Sequence, residues 1–235
     1  MTTTQDLENI AFSSFDNLNA RVLRFRYERL SQHYRGRSCL ELGCADGAGT
    51  ELLADHFAEV VAVDGSALAI RRLHNAGRRN VQGIHALFED LDLGRDFETV
   101  LLGHILEHVD DPQAVLTVAR RHLSPNGVLI ADVPNGASLH RQLGVELGLM
   151  HSPTDLNEAD RSIGHQRVYL PQHFRAEFVR AGLREIAFGG FFLKPFSNGQ
   201  LESWLSDEQQ DALFRMGERY PELAAEIYVV AEHVH

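Results

Sequence analysis

Two acids and a glycine-rich corner are the parts of this chain whose spacing could do chemistry. In Cys39-Leu40-Glu41-Leu42-Gly43-Cys44-Ala45-Asp46-Gly47-Ala48-Gly49 an apolar run carries an acid, bends at glycines and opens a helix. A second acid, Asp64, ends the next apolar run, Val60-Val61-Ala62-Val63. An open α/β sheet presents a nucleoside-sized ligand to the carboxyl edge of its strands in this way. A carboxylate at Asp64 offers two oxygens to two donors, which suits the hydroxyls of a ribose. Gly43 permits a tight turn, and Gly47 lets main chain approach a ligand. In a dinucleotide fingerprint the second glycine makes room for a pyrophosphate, but Ala45 stands there. Its methyl group fits poorly beside a diphosphate and tolerably beside an amino-acid tail, which disfavours a nicotinamide dehydrogenase.

The elements that must position these residues alternate. The spacing predicts an amphipathic helix from about Asn19 to Tyr34 and a strand over Ser38–Leu42. A helix from about Gly47 to Phe57 follows, then a buried strand Glu59–Asp64. Ser66 is placed as the N-cap of a helix to about Ala76. Strands are expected at Val81–His85 and Thr99–Gly103, with Pro112 opening a helix that continues over Gln113–Leu123. Ser124-Pro125-Asn126-Gly127 reads as a turn before a fifth strand, Val128–Val133. This repeat predicts a doubly wound α/β sheet with helices on both faces. Later come a helix-like piece from Leu139 to Leu149, helices at Pro171–Ala181 and Asp207–Arg219, and strands at Leu183–Phe192 and Glu226–Val234. We expect a single domain over residues 1–235, with a helical N-terminal segment at 1–36. Stretches 134–170 and 193–224 are expected to cover a substrate at the carboxyl edge.

Composition narrows the class. Hydrophobic residues make up 44% and charged residues 23% of the 235, as in ordinary globular proteins. The net charge of −11 argues against nonspecific binding to nucleic acid. The arginines at 21, 24, 26 and 29 read as a solvated helix face. No apolar run approaches the roughly 18 residues of a membrane span. Two cysteines, Cys39 and Cys44, read as buried free thiols and suit a reducing cytoplasm. The sequence carries no signature of an oligomeric state.

Further strings complete a pattern: Phe97-Glu98-Thr99-Val100, Leu106-Glu107-His108-Val109-Asp110-Asp111-Pro112, Leu123-Ser124-Pro125-Asn126-Gly127-Val128-Leu129 and Val133-Pro134-Asn135. With the first two motifs, and in this order, they resemble class I S-adenosylmethionine-dependent methyltransferases. The resemblance implies a Rossmann-like, seven-stranded, mostly parallel sheet whose last strand is antiparallel. It implies S-adenosylmethionine as cofactor and S-adenosylhomocysteine as product. Glu41 and the corner Gly43, Cys44, Ala45 and Gly47 would hold the methionyl end, and Asp64 with Gly65 the ribose. Phe88 and Glu89 would wall the adenine. Gly103 and His104 would border the sulfonium. Members commonly carry an acid where Leu87 stands, so Glu89 or main chain must serve the adenine amino group here.

A sulfonium methyl is already activated, so the protein must align the acceptor and exclude water. A base is needed only for a hydroxyl or ammonium acceptor. His104 and His165 are the candidates. His140, and His165, Arg167 and Tyr169 in Gly164-His165-Gln166-Arg167-Val168-Tyr169, are the candidate acceptor contacts, because Arg pairs with carboxylate in a bidentate way. The alternative for the last three is a polar latch. Some similar ubiquinone-type and small-RNA methyltransferases carry Glu-x-x-Glu-His, but here the first acid is His104, and Mg²⁺ wants oxygen ligands. No metal is expected. The acceptor is expected to be a small molecule methylated on oxygen or nitrogen. The alternatives are an RNA or protein acceptor, or a cofactor-binding module without turnover.

Overall fold

The computed structural model describes residues 18–234. The part of the expected helical segment before Leu18 lies outside the described residues. Seven strands form one sheet: β1 (Ser38–Leu42), β2 (Glu59–Asp64), β3 (Val81–His85), β4 (Phe97–Gly103), β5 (Leu123–Pro134), β6 (Leu183–Phe191) and β7 (Glu226–His233). Their order is β3-β2-β1-β4-β5-β7-β6. The pairs among β1 to β5 are parallel, and β7 runs antiparallel to both β5 and β6. This is the sheet the resemblance implies, and the order reverses between β1 and β4, where such sheets bind ligands.

Helices cover both faces because the inner strands are apolar on both. One face packs Leu40, Val61, Val100, Leu129 and Val229 against α4 (Pro112–Arg121) and α7 (Pro171–Arg180), through residues such as Val115, Leu116, Phe174 and Phe178. The other packs Cys39, Val60, Leu101, Ile130 and Val230 against α1 (Leu18–Leu30), α2 (Ala48–His56), α8 (Asn198–Trp204) and α9 (Asp207–Arg219). A smaller cluster seats α3 (Ala67–Ala76) on Ala62 and Cys44. Short helices α5 (Leu139–Glu146) and α6 (Glu158–Ser162) lie in the stretch after β5. Cys39 and Cys44 are buried and free.

Several expectations need correction. Ser124–Gly127 is not a turn preceding the fifth strand. β5 begins at Leu123, opposite Phe97, and pairing slips before Val128 meets Thr99. The polar quartet bulges from an edge that stays paired on either side. The first helix ends at Leu30 and tightens into a 3-10 turn, Ser31–His33. Helices α6 and α8 were not anticipated. Arg26 does not belong to a solvated face: it is buried.

Candidate active site

Period-two alternation assembles the site. Glu41 on β1, Gly103 on β4, Asp132 on β5 and Glu226 on β7 all point toward the face covered by α1. Gly103 pairs with Asp132, and Pro134 with Glu226, so three of these positions come together at the carboxyl edge. Arg26 and Tyr27 of α1 descend onto them. The Arg26 guanidinium lies 3.0 Å from Asp132 and 3.4 Å from Glu226. The Tyr27 hydroxyl donates to Glu41 Oε1 at 3.3 Å, and Thr50 donates to Oε2 at 2.5 Å. Burial, opposed by these two bonds, lifts the Glu41 carboxyl to about 7.

The corner after β1 is built on left-handed backbone. Gly43 and Gly47 have φ of 88° and 87°. A Cβ at Gly43 would overlap the side chain of Ile105. Ala45 also has a positive φ, 47°, at a cost of about 1–2 kcal/mol for a residue with a Cβ. Asp64 holds it there. Its Oδ2 accepts the Cys44 and Ala45 N–H groups at 3.0 Å each, and Oδ1 accepts Ser66 N–H at 2.8 Å. A carboxylate has about four acceptor positions. Three backbone N–H groups thus converge on Asp64. Gly65 is buried, and its carbonyl meets His85 Nε2 at 3.0 Å. Phe88 is half-buried beside Gly43, whereas Glu89 and Leu87 are exposed.

His104 follows Gly103 with φ of 54°, a strained conformation of the sort that clusters at functional sites. Its Nε2 lies 3.2 Å from Asp132 and 3.5 Å from Glu226; its Nδ1 lies 3.4 Å from Glu107. Burial and Arg26 push its pKa down, but Glu226 and Glu107 prevail and the net shift is upward. A carboxyl group thus faces each ring nitrogen. Burial raises the carboxyl pKa of Glu107, against the opposing pull of His104 and His165.

His165 stands behind Glu107, not at the cleft surface. It is buried, with Nδ1 3.5 Å from Asp160 and Nε2 4.0 Å from Glu107. Arg167 donates to the carbonyls of Leu106, Val109 and Asp110, and Tyr169 to that of Leu106 at 3.4 Å. These bonds describe a latch pinning the stretch after β5 to the loop after β4. His140 is half-buried, its Nδ1 has no hydrogen-bond partner among the described residues, and burial lowers its pKa to about 3. Glu107, His108 and His165 bring donor atoms within 4.8 Å of one another, as do His104, Asp132 and Glu226. In the second group the Arg26 guanidinium already supplies the cation.

Sequence reasoning missed Arg26, Asp132 and Glu226. Asp132 had a signal: it is the lone acid in Val128–Val133, and a charge in a central strand must be paired.

The sheet order, the strained corner and the acids at β1 and β2 define a class I methyltransferase fold with a nucleoside-binding edge. The sequence profile of the methyltransferase domain matches residues 15–187. The chain belongs to that family, whose methyl donor is S-adenosylmethionine. It is similar to the ubiquinone biosynthesis O-methyltransferase of Idiomarina loihiensis, 28% identical over 170 residues, covering 68% of this chain and 67% of that one. It is also similar to the cypemycin N-terminal methyltransferase of a Streptomyces species, 31% identical over 114 residues, covering 46% of each. The chain spans about half the length of the latter and of the fission-yeast mitochondrial ubiquinone enzyme, at 46% and 49%. Among solved structures, the N-methyltransferase NodS of Bradyrhizobium japonicum, in complex with S-adenosylhomocysteine, shares the fold. It has a TM-score of 0.64, 16% identity and full coverage of both chains.

Proposed function

We propose that this chain is an S-adenosylmethionine-dependent methyltransferase that acts on an oxygen or nitrogen of a small-molecule acceptor. The observation that carries the reading is the convergence of Glu41, Asp64 and the left-handed Gly43–Gly47 corner on one carboxyl edge, with His104 at its end. The corner and Glu41 take the charged amino-acid tail. Asp64 takes a ribose hydroxyl, Phe88 flanks the base, and Gly103 and His104 border the sulfur. Relatives named for both O- and N-methylation support an oxygen or nitrogen acceptor. The net charge of −11 favours a small acceptor over RNA.

His104 borders the acceptor and, in its neutral form, is the base available to a hydroxyl or ammonium. His165 works through Glu107. Arg167 and Tyr169 close the covering stretch instead of binding the acceptor. The reading requires no metal, because Arg26 already pairs with Asp132 and Glu226, and exhaustive chelation should leave turnover unchanged. A single domain in a cytoplasmic setting completes it. Among the described residues no helix is long and apolar enough to cross a membrane.

The test is calorimetric titration with S-adenosylhomocysteine, followed by transfer of isotopically labelled methyl groups to a fractionated metabolite extract. Label in small molecules is expected. Label only in RNA or protein would move the reading to a macromolecular acceptor, and binding without transfer would make the chain a cofactor module.

A further inference from the structure

The chain contains 22 lysines and arginines, and only one of them, Lys194, is a lysine. It follows β6, at the start of the stretch expected to cover the acceptor. Two features fix its backbone. Phe192 turns the chain through a left-handed conformation, φ 63°, stabilised by edge-on packing of its ring on Phe214 at 5.1 Å. Pro195 then restricts Lys194 to an extended conformation. The side chain is therefore presented from an extended segment.

The ammonium is short of partners. Its one hydrogen bond among the described residues goes to the neutral Asn198 side chain at 3.0 Å, and it forms no ion pair with a described carboxylate. Strand register sets Phe191, three residues before Lys194, against Glu226. Glu226 and Asp160 are the acids that face the ammonium, but Glu226 is already shared between Arg26 and His104, and Asp160 between Arg141 and the Asn157 N–H. Arg141 also faces it, though that guanidinium is committed to Asp160 and to the carbonyls of Pro153 and Asp155. His140, with its unpartnered Nδ1, lies in the field of the same ammonium. Burial lowers the pKa of Lys194. Lys194 thus joins His140, on the covering stretch, to the Glu226–His104 pair, beside the expected sulfonium.

From this placement, and resting on the methyltransferase reading above, we infer that Lys194 is the acceptor-binding cation and that the acceptor carries an anionic oxygen group, such as a carboxylate. Two ammonium protons remain for that group, and it supplies the counter-charge the protein withholds. Lysine suits the role as a compact charge with rotatable donors.

Because Lys194 is the sole lysine, its acetylation can be followed by peptide mass spectrometry against the α-amine as internal control. With S-adenosylhomocysteine bound, acetate, benzoate and salicylate serve as probes, and benzamide as the uncharged control. At least one carboxylate should slow acetylation of Lys194 selectively, and benzamide should not. By calorimetry, Lys194→Met should weaken the protecting carboxylate about tenfold or more, and Lys194→Arg should restore most of it. Thermal melts of both variants confirm that they fold. If no carboxylate protects Lys194 while S-adenosylhomocysteine binds normally, the inference is overturned and the methyltransferase reading stands. If S-adenosylhomocysteine itself fails to bind, that reading falls first, and this inference with it.

Discussion

Nε2 of His104 lies 3.2 Å from Oδ2 of Asp132: His104 directly follows β4, and Asp132 lies on the adjacent parallel strand β5, whose register places it against Gly103. A residue with a positive φ, 54°, thus sits at the sheet edge facing a buried acid. Its main-chain N–H also donates to the Asp132 carbonyl at 3.0 Å.

The pH dependence of this pair has a definite sign. The folded-state pKa of His104 lies above the ordinary 6.5. At this site the folded chain therefore binds more protons than the unfolded chain near neutrality. The stabilisation is fully present below 6.5 and is lost as pH rises through the folded value. A ring-proton titration by NMR should place the His104 midpoint above 6.5, and His104→Gln should flatten the fall in melting temperature on the alkaline side. A midpoint at or below 6.5 would mean the ring is neutral at rest.

Glu41 carries a related prediction. Its folded pKa, about 7 against 4.5, also makes the folded chain the better proton binder at this site, so its contribution to stability drops as pH climbs through that window. Between about pH 5 and about pH 8, denaturant unfolding of the wild type should lose on the order of 1–3 kcal/mol more than that of Glu41→Gln. The same variant should weaken S-adenosylmethionine, whose ammonium loses a carboxylate partner. Equal slopes in the two chains would contradict the burial argument.

Arg167 separates a latch from an acceptor contact. Arg167→Ala leaves the carbonyls of Leu106, Val109 and Asp110 without their donor. It should cost on the order of 1–3 kcal/mol in unfolding free energy. The KM for the acceptor should stay unchanged at temperatures where the variant is folded. A raised KM with normal stability would return Arg167 to the acceptor site.

Much of the fold was legible because buried parallel strands are written as apolar runs. Ser38–Leu42, Glu59–Asp64 and Val81–His85 are strands with the bounds read from the sequence. What escaped has physical causes. Ser124–Gly127 carries turn residues yet belongs to a bulged strand, because pairing on either side overrides local preference. Helices α6 and α8 are short and polar; their signal was the capping boxes Asn157–Asp160 and Ser197–Gln200. The cofactor corner was read from glycine and acid spacing. The charged cluster behind it was not, because Arg26, Asp132 and Glu226 are far apart in sequence, Arg26 lying 106 residues from Asp132 and 200 from Glu226, and meet only through strand order. Arg26 looked like its neighbours Arg21 and Arg29, which do reach acids of α9.

The central claim is that this cleft holds an adenosyl cofactor through the carboxylate that ends β2. The direct measurement is the dissociation constant of S-adenosylhomocysteine for the wild-type chain and for Asp64→Ala. The account predicts binding by the wild type and a loss of about 1–3 kcal/mol in the variant, as the ribose hydroxyl and the Cys44 and Ala45 N–H groups lose their acceptor. No binding by the wild type, or the same constant in both, would contradict it.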